Sequence, residues 1–106
     1  MTGVVPFLTL DQRKSAAWAT TRPINGLEAV FHPFDARRDE LGNIVSLAEH
    51  GNRDDRYGWV IEHRVPLSQG GTDDPANLRA VACRASRSAA AACRSRSAPS
   101  WRLYAL

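Results

Sequence analysis

Residues 57–81 read YGWVIEHRVPLSQGGTDDPANLRAV, and the expected fold follows from this stretch. Residues 57–65 alternate apolar and polar side chains, which is typical of a β-strand with one buried face. Residues 66–75 contain two prolines, two glycines and two aspartates, and these residue types favour turns over regular structure. Residues 77–81 resume an extended pattern before an Ala/Arg-rich segment that favours a helix. The predicted order is therefore strand, loop, strand, helix.

Glu62 and His63 stand side by side near the end of the first predicted strand. Neighbouring strand residues point to opposite faces, so a local distortion would be needed to bring both side chains into one site. A carboxylate is a hard ligand for Mg²⁺ or a similar cation, and an imidazole can take a proton from water near neutral pH. The pair is suited to metal-assisted hydrolysis, and a chance pair on a solvated strand is the alternative.

The sequence around this pair is more specific than the pair itself. From Gly58 to Leu78 it runs Gly-Trp-x-Ile-Glu-His-x-x-Pro-x-Ser-x-Gly-Gly-Thr-Asp-Asp-x-x-Asn-Leu. This pattern resembles the signature of HNH endonucleases, above all the small bacterial and phage HNH proteins. In those proteins an Asp-His or Glu-His pair precedes a proline and a Gly-Gly-Thr/Ser-Asp loop that closes on Asn-Leu. Weaker upstream matches extend the resemblance to roughly residues 15–81.

The resemblance implies an α+β fold with a ββα-metal centre. An N-terminal helix and a hairpin would precede the centre, and the Arg/Ala-rich helix would complete it. We expect one domain over residues 1–106, which is a common domain size. Its motif core would span residues 57–88, and residues 89–106 would form a basic low-complexity tail. The implied activity is metal-dependent hydrolysis of phosphodiester bonds in DNA, with RNA left open as a substrate.

The resemblance also gives individual residues a role. His63 would be the general base that activates the attacking water, Glu62 would be a metal ligand, and Asn77 would brace the loop through side-chain hydrogen bonds. The cofactor would be a divalent cation that neutralises the phosphate and stabilises the departing oxygen. We expect Mg²⁺, with Mn²⁺, Ni²⁺ or Zn²⁺ as alternatives, and no small-molecule cofactor.

Two positions depart from the family pattern. The second metal ligand of the family, an Asn or His, corresponds to Ser86, and a following Lys corresponds to Ala89. A serine hydroxyl is a weak ligand, and alanine carries no charge. A catalytically inactive nucleic-acid-binding relative is therefore the alternative function, and a remnant with neither activity is the third.

Charge is distributed unevenly along the chain. Residues 1–78 hold eight basic and eleven acidic side chains, a balance of −3, whereas residues 79–106 hold six arginines and no acid. A positive segment on a mildly acidic body is typical of a phosphate-binding protein, and a solvated basic face is the alternative. Contacts of this kind would be salt-dependent and largely blind to sequence. The candidates for contacts with DNA are Arg64, Arg79, Arg84, Arg87 and Arg94.

Four further arginines have acidic neighbours in the sequence and are expected to form internal salt bridges, with phosphate contacts as the alternative. They are Arg37, Arg38, Arg53 and Arg56.

The N-terminal half follows local signals. Thr9 and Gln12 fit a helix capping box, and the helix should continue to Trp18, a predicted core residue. Residues 35–48 suggest a hairpin around Gly42-Asn43. His32 and His50 precede turn residues, and a surface position is expected for both.

The two cysteines, Cys83 and Cys93, have no Cys-x-x-Cys spacing. On one continuous helix they would lie ~15 Å apart, beyond the ~7 Å limit for a disulfide, so free thiols are expected. No apolar run is long enough for a membrane span, and the opening residues lack the pattern of a signal peptide. We therefore expect a cytoplasmic protein without a membrane partner. Apolar residues near the C-terminus, Trp101 to Leu106, are expected to fold back over the domain.

Overall fold

The computed structural model of the protein describes residues 8–93. The expectations for Arg94 and for the apolar residues near the C-terminus lie outside this range. The helices and strands are α1 (Leu10–Trp18), β1 (Ala36–Arg38), β2 (Ile44–Ser46), β3 (Trp59–His63), β4 (Leu78–Ala82) and α2 (Arg87–Ala92). β1 pairs with β2 and β3 with β4 in two small antiparallel sheets, which confirms an α+β fold. Within residues 8–93, no helix has the length and apolar character needed to cross a membrane.

Helix α1 begins at the predicted capping box. The Thr9 hydroxyl accepts a hydrogen bond from the Gln12 N–H at 3.1 Å, and the Gln12 side chain accepts one from the Thr9 N–H at 2.8 Å. These bonds satisfy two backbone donors that have no partner within the helix. The predicted capping box is confirmed, and the helix runs to Trp18 as expected.

The predicted hairpin is formed by β1 and β2, and its loop contains a carboxylate whose burial the sequence did not predict. Asp39 is fully buried. Its Oδ1 accepts hydrogen bonds from the backbone N–H groups of Leu41 and Asn43, and its Oδ2 accepts one from Ala82 N–H at 2.9 Å. A buried carboxylate requires such partners because its desolvation is otherwise costly. Asp39 thus joins the hairpin loop to the end of β4.

The β3–β4 sheet lies between the two helices and presents a different face to each. Alternate residues of the two strands pack against α1, and the residues between them pack against α2. The cluster on the α1 side is Ala17, Val45, Trp59, Leu78, Ala80 and Ala82. The cluster on the α2 side is Val60, Val81, Cys83, Ala89 and Cys93.

Among residues 8–93, Trp59 is the largest fully buried side chain, and it lies at the centre of the aromatic contacts. Trp18 is half-buried, and its ring centroid lies 5.1 Å from that of Trp59. The ring of His50 also packs edge-on against Trp59, with centroids 4.8 Å apart. His32 lies 3.1 Å from the Tyr57 hydroxyl through its Nδ1. The expected surface role of both histidines is wrong because each packs against an aromatic side chain distant in sequence.

The expectation of free thiols is also wrong, because Cys83 and Cys93 form a disulfide with a Cα–Cα distance of 6.0 Å. The Ala/Arg-rich segment does not form one continuous helix between the two cysteines. Cys83 lies in a short 3₁₀ turn, the backbone is extended at Ser86, and α2 occupies only Arg87–Ala92. The interruption folds α2 back towards the end of β4, which brings the two cysteines within bonding reach.

Candidate active site

An open cleft of about 520 Å³ separates β3 from α2. β3 and the start of the following loop form one wall, and three residues of α2 form the other. Glu62 and His63 both line this cleft, together with Val60, Ile61, Arg64, Pro66, Leu67, Ser88, Ala89 and Ala92. The two residues that the sequence selected for chemistry therefore both belong to the lining of this cleft, although neighbouring side chains of a regular strand point to opposite faces of the sheet.

His63 is held by a carboxylate from the loop. Its Nε2 lies 2.7 Å from Oδ1 of Asp73, and the other oxygen of Asp73 accepts a hydrogen bond from the Arg13 guanidinium. When the ring is neutral, a proton on Nε2 that is donated to Asp73 leaves the lone pair on Nδ1. Nδ1 is then the atom that can accept a proton from water.

The hydrogen bond from His63 lowers the pKa of Asp73, and the nearby Arg13 guanidinium lowers this pKa further. Asp73 therefore stays ionised and can stabilise the positive charge on a protonated imidazole. Sequence reasoning placed Asp73 only in a turn. The Gly-Gly-Thr-Asp loop pattern was the available signal, but it does not show which side chain the aspartate contacts.

Lowering the pH should destabilise the fold, because it protonates several carboxylates that form ion pairs in the folded chain. Hydrogen bonds from Arg38, Arg64 and His63 are the largest causes of the lowered pKa values of Glu28, Glu40 and Asp73, respectively. The unfolded chain binds protons more readily at these sites, so the stability that they contribute is present near neutral pH and is lost as pH falls below about 4. Thermal unfolding from neutral to acidic pH should show a falling Tm.

A matched pair of variants tests the contribution of one group. Asp73→Asn should flatten the acid part of this Tm profile, whereas Asp11→Asn should leave its shape unchanged. Asp11 is exposed and forms no ion pair within residues 8–93. Equal profiles for both variants and the parent would contradict the role given to Asp73.

Glu62 has a separate partner on the neighbouring strand. It lies directly opposite Arg79, which donates two hydrogen bonds to Glu62 Oε1, from Nη2 at 2.6 Å and from Nε at 3.0 Å. β3 keeps a regular register to His63, so the local distortion considered from the sequence is not present. Glu62 and His63 contact different groups although both line the cleft.

The predicted nucleic-acid contacts fall into two classes. Arg64 pairs with Glu40, and Arg79 pairs with Glu62 and lies 3.7 Å from Glu40. These two arginines would have to exchange internal partners for a phosphate. Arg84 and Arg87 are exposed, and neither forms an ion pair in the part of the chain that the structure describes.

Asn77 braces the loop in the way that the family resemblance implied. Its Oδ1 accepts the Val65 N–H at 2.8 Å, and its Nδ2 donates to the Val65 and Thr72 carbonyls at 3.1 and 2.8 Å. The side chain thereby links the start of the loop to the segment before Asp73. Its part in catalysis stays a prediction.

Gly71 allows the loop to close. A Cβ at this position would lie 1.8 Å from the Val65 carbonyl oxygen, which Asn77 also contacts. We expect Gly71→Ala to displace the backbone and to lower the free energy of unfolding by about 1–3 kcal/mol, a range typical of overpacking. Urea unfolding measures this loss. Ser68→Ala, at an exposed position of the same loop, is the control and should change stability by less than about 0.5 kcal/mol. Equal stability of the two variants would contradict the close approach.

Ser86 is the N-cap of α2. Its hydroxyl oxygen accepts a hydrogen bond from the Ala89 N–H at 3.1 Å and lies 3.1 Å from the Ser88 hydroxyl. Ser88 and Ala89 line the cleft, whereas Ser86 is not part of its lining. Within residues 8–93, no group of three or more His, Cys, Asp or Glu side chains is arranged to hold a metal ion. The role of Ser86 as a ligand stays a prediction.

Comparison with known proteins identifies no relative of this chain. Neither the protein-family models, nor the curated proteins, nor the solved structures contain a match to this chain. The functional proposal therefore depends on the geometry of the cleft and on the sequence pattern.

Proposed function

We propose that this protein is a metal-dependent endonuclease of the HNH type that hydrolyses phosphodiester bonds of DNA. In this proposal β3, the loop, β4 and α2 form the ββα-metal centre. One observation carries the proposal: Glu62 and His63 both contribute to the lining of the cleft between β3 and α2, and the carboxylate of Asp73 holds the ring of His63. An imidazole fixed in this way is suited to general-base catalysis.

The proposed chemistry starts with proton transfer to His63. A phosphodiester resists attack because its negative charge repels hydroxide, so a base close to the phosphate must generate the nucleophile from water. Nδ1 of His63 takes the proton, while Asp73 holds Nε2 and stabilises the resulting imidazolium. Asn77 keeps the loop closed and so keeps Asp73 near the ring.

Glu62 is the side chain that would hold a divalent cation. Both hydrogen bonds from Arg79 end on Oε1, and Oε2 accepts no hydrogen bond from another residue of the described range. One carboxylate with water and a substrate phosphate suits Mg²⁺, whereas zinc sites use three or four protein ligands. When bound, the cation supplies charge neutralisation at the phosphate and at the departing oxygen.

Nicking of supercoiled plasmid tests the function. The full chain is incubated with Mg²⁺, Mn²⁺ or Ni²⁺, with and without EDTA, beside a Glu62→Gln variant. We expect conversion to open circles that EDTA abolishes, and a higher metal requirement for Glu62→Gln because the amide binds the cation more weakly. Cleavage that persists in EDTA, or no cleavage with any of the three metals, would contradict the proposal.

A second candidate is a non-catalytic nucleic-acid-binding protein of the same architecture. Two contacts favour it: Arg79 engages the carboxylate of Glu62, and the Ser86 hydroxyl caps α2. This candidate predicts salt-dependent DNA binding without cleavage by the parent chain. Ser88→His adds a metal ligand on the cleft, and Ser86→Asn adds one at the cap. Cleavage gained in either variant and absent in the parent would identify a working scaffold that lacks a ligand.

A further inference from the structure

A second concave surface, of about 380 Å³, lies beside the disulfide. We call it the arginine cleft. The loop of residues 53–56 forms one wall, Arg84 and Ala90 form the other, and Gly58 and Cys83 lie between them. Two carboxylates, Asp54 and Asp55, complete the lining. None of these residues lines the cleft that contains Glu62 and His63.

Three arginines from two distant segments meet at the arginine cleft. Arg53, Arg56 and Arg84 are exposed, and none forms an ion pair with another residue of the range 8–93. The salt bridges expected for Arg53 and Arg56 are therefore not formed in the described chain. Other arginines do pair with carboxylates: Arg13, Arg38, Arg64 and Arg79.

Two of the three guanidinium groups are held in position. Arg84 donates a hydrogen bond from Nη1 to the backbone carbonyl of Arg56. The guanidinium carbon of Arg56 lies 5.2 Å from the centroid of the Tyr57 ring, a cation–π distance. Side chains held before binding lose less entropy when a ligand arrives.

The backbone beneath these arginines is closely packed. A Cβ on Gly58 would lie 1.9 Å from the Asn52 carbonyl oxygen and 3.1 Å from Sγ of Cys83. The Cys83 N–H also donates to the Gly58 carbonyl at 2.9 Å. The loop that carries Arg53 and Arg56 is thereby joined to the segment that carries Arg84.

The side chains that line the arginine cleft carry a net positive charge even with its two acidic residues included. Three guanidinium groups face two carboxylates, and Oδ1 of Asp55 accepts the Tyr57 N–H at 2.8 Å. Guanidinium groups bind phosphate through paired N–H donors, and several arginines around one concavity match the geometry of a phosphate group.

We propose that the arginine cleft binds a backbone phosphate of nucleic acid, and this rests on the proposed function only for the choice of nucleic acid as ligand. Arg53, Arg56 and Arg84 provide the contact, in place of Arg64 and Arg79, which have internal partners. The surrounding sequence agrees, since all six charged residues between positions 79 and 106 are arginines.

Fluorescence anisotropy with a labelled duplex DNA tests the proposal in the absence of divalent metal. The full chain is compared with Arg53→Gln, Arg56→Gln and Arg84→Gln over a series of salt concentrations. Each variant should raise Kd several-fold at low salt and reduce the slope of log K against log salt by about one unit. Arg84→Lys, which keeps the charge, should retain most of the slope.

Arg22→Gln is the matched control. Arg22 is exposed, pairs through its backbone with Arg38 and lies outside the arginine cleft. Loss confined to the cleft variants supports the proposal. Equal loss in Arg22→Gln would show a general effect of net charge and would overturn it, as would unchanged binding in all variants or no binding by the parent. Plasmid nicking is measured separately, so the proposal of phosphate binding at the arginine cleft and the proposal of nuclease activity can each be contradicted without the other.

Discussion

Replacing His63 with alanine should reduce metal-dependent plasmid nicking by about 10²- to 10⁴-fold, the usual contribution of a general base. The variant removes the imidazole that takes the proton from water in the proposed mechanism, and it leaves Glu62 and the loop brace in place. Nicking rates at saturating metal, measured for parent and variant on the same plasmid, give the ratio. His63 is partly exposed, so the loss should come from chemistry with little effect on the core.

Two variants separate the base from its neighbours. His32→Ala removes a histidine that contacts Tyr57 and lies outside the cleft lining, and it should leave the nicking rate nearly unchanged. Asp73→Asn keeps the imidazole but removes the negative charge beside it, and it should give an intermediate loss. Full nicking by His63→Ala, with the fold shown intact by circular dichroism, would exclude His63 as the base.

Reducing the Cys83–Cys93 disulfide should lower the free energy of unfolding by about 2–3 kcal/mol, the value expected from closing a loop of this length. Helix α2 depends on this covalent link because the helix is small. Its six residues are too few for a stable isolated helix, and its buried contacts come mainly from Ala89 and the two cysteines. Without the covalent link, the unfolded chain regains the entropy of the open loop.

Urea unfolding with and without a dithiol reductant measures this effect. The Cys83→Ser/Cys93→Ser double variant should match the reduced parent and should not respond to the reductant. A parent whose unfolding midpoint is the same in both conditions would mean that the disulfide contributes nothing to stability.

Features encoded by neighbouring residues could be predicted from the sequence. The capping box of Thr9 and Gln12 requires only a three-residue spacing, and the hairpin around Gly42 follows from a turn between apolar runs. The order β3, loop, β4 follows from one continuous pattern, and the resemblance that this pattern carries implied the brace by Asn77. In each case the partners are close in sequence or belong to one motif, so chain order alone brings them together.

The tertiary structure decided the contacts between residues that are distant in sequence. Arg13 and Asp73 are 60 residues apart, yet their pairing sets the environment of His63. The pairing of Glu62 with Arg79 depends on the strand register, which propensities do not specify. The disulfide depends on a helix break at Ser86, where a hydroxyl cap outweighs the helical preference of the surrounding alanines. The sequence pattern and the resemblance that it carries predicted an α+β domain with local motifs. Packing determined which charged groups meet, because burial and pairing depend on distances that only the folded chain defines.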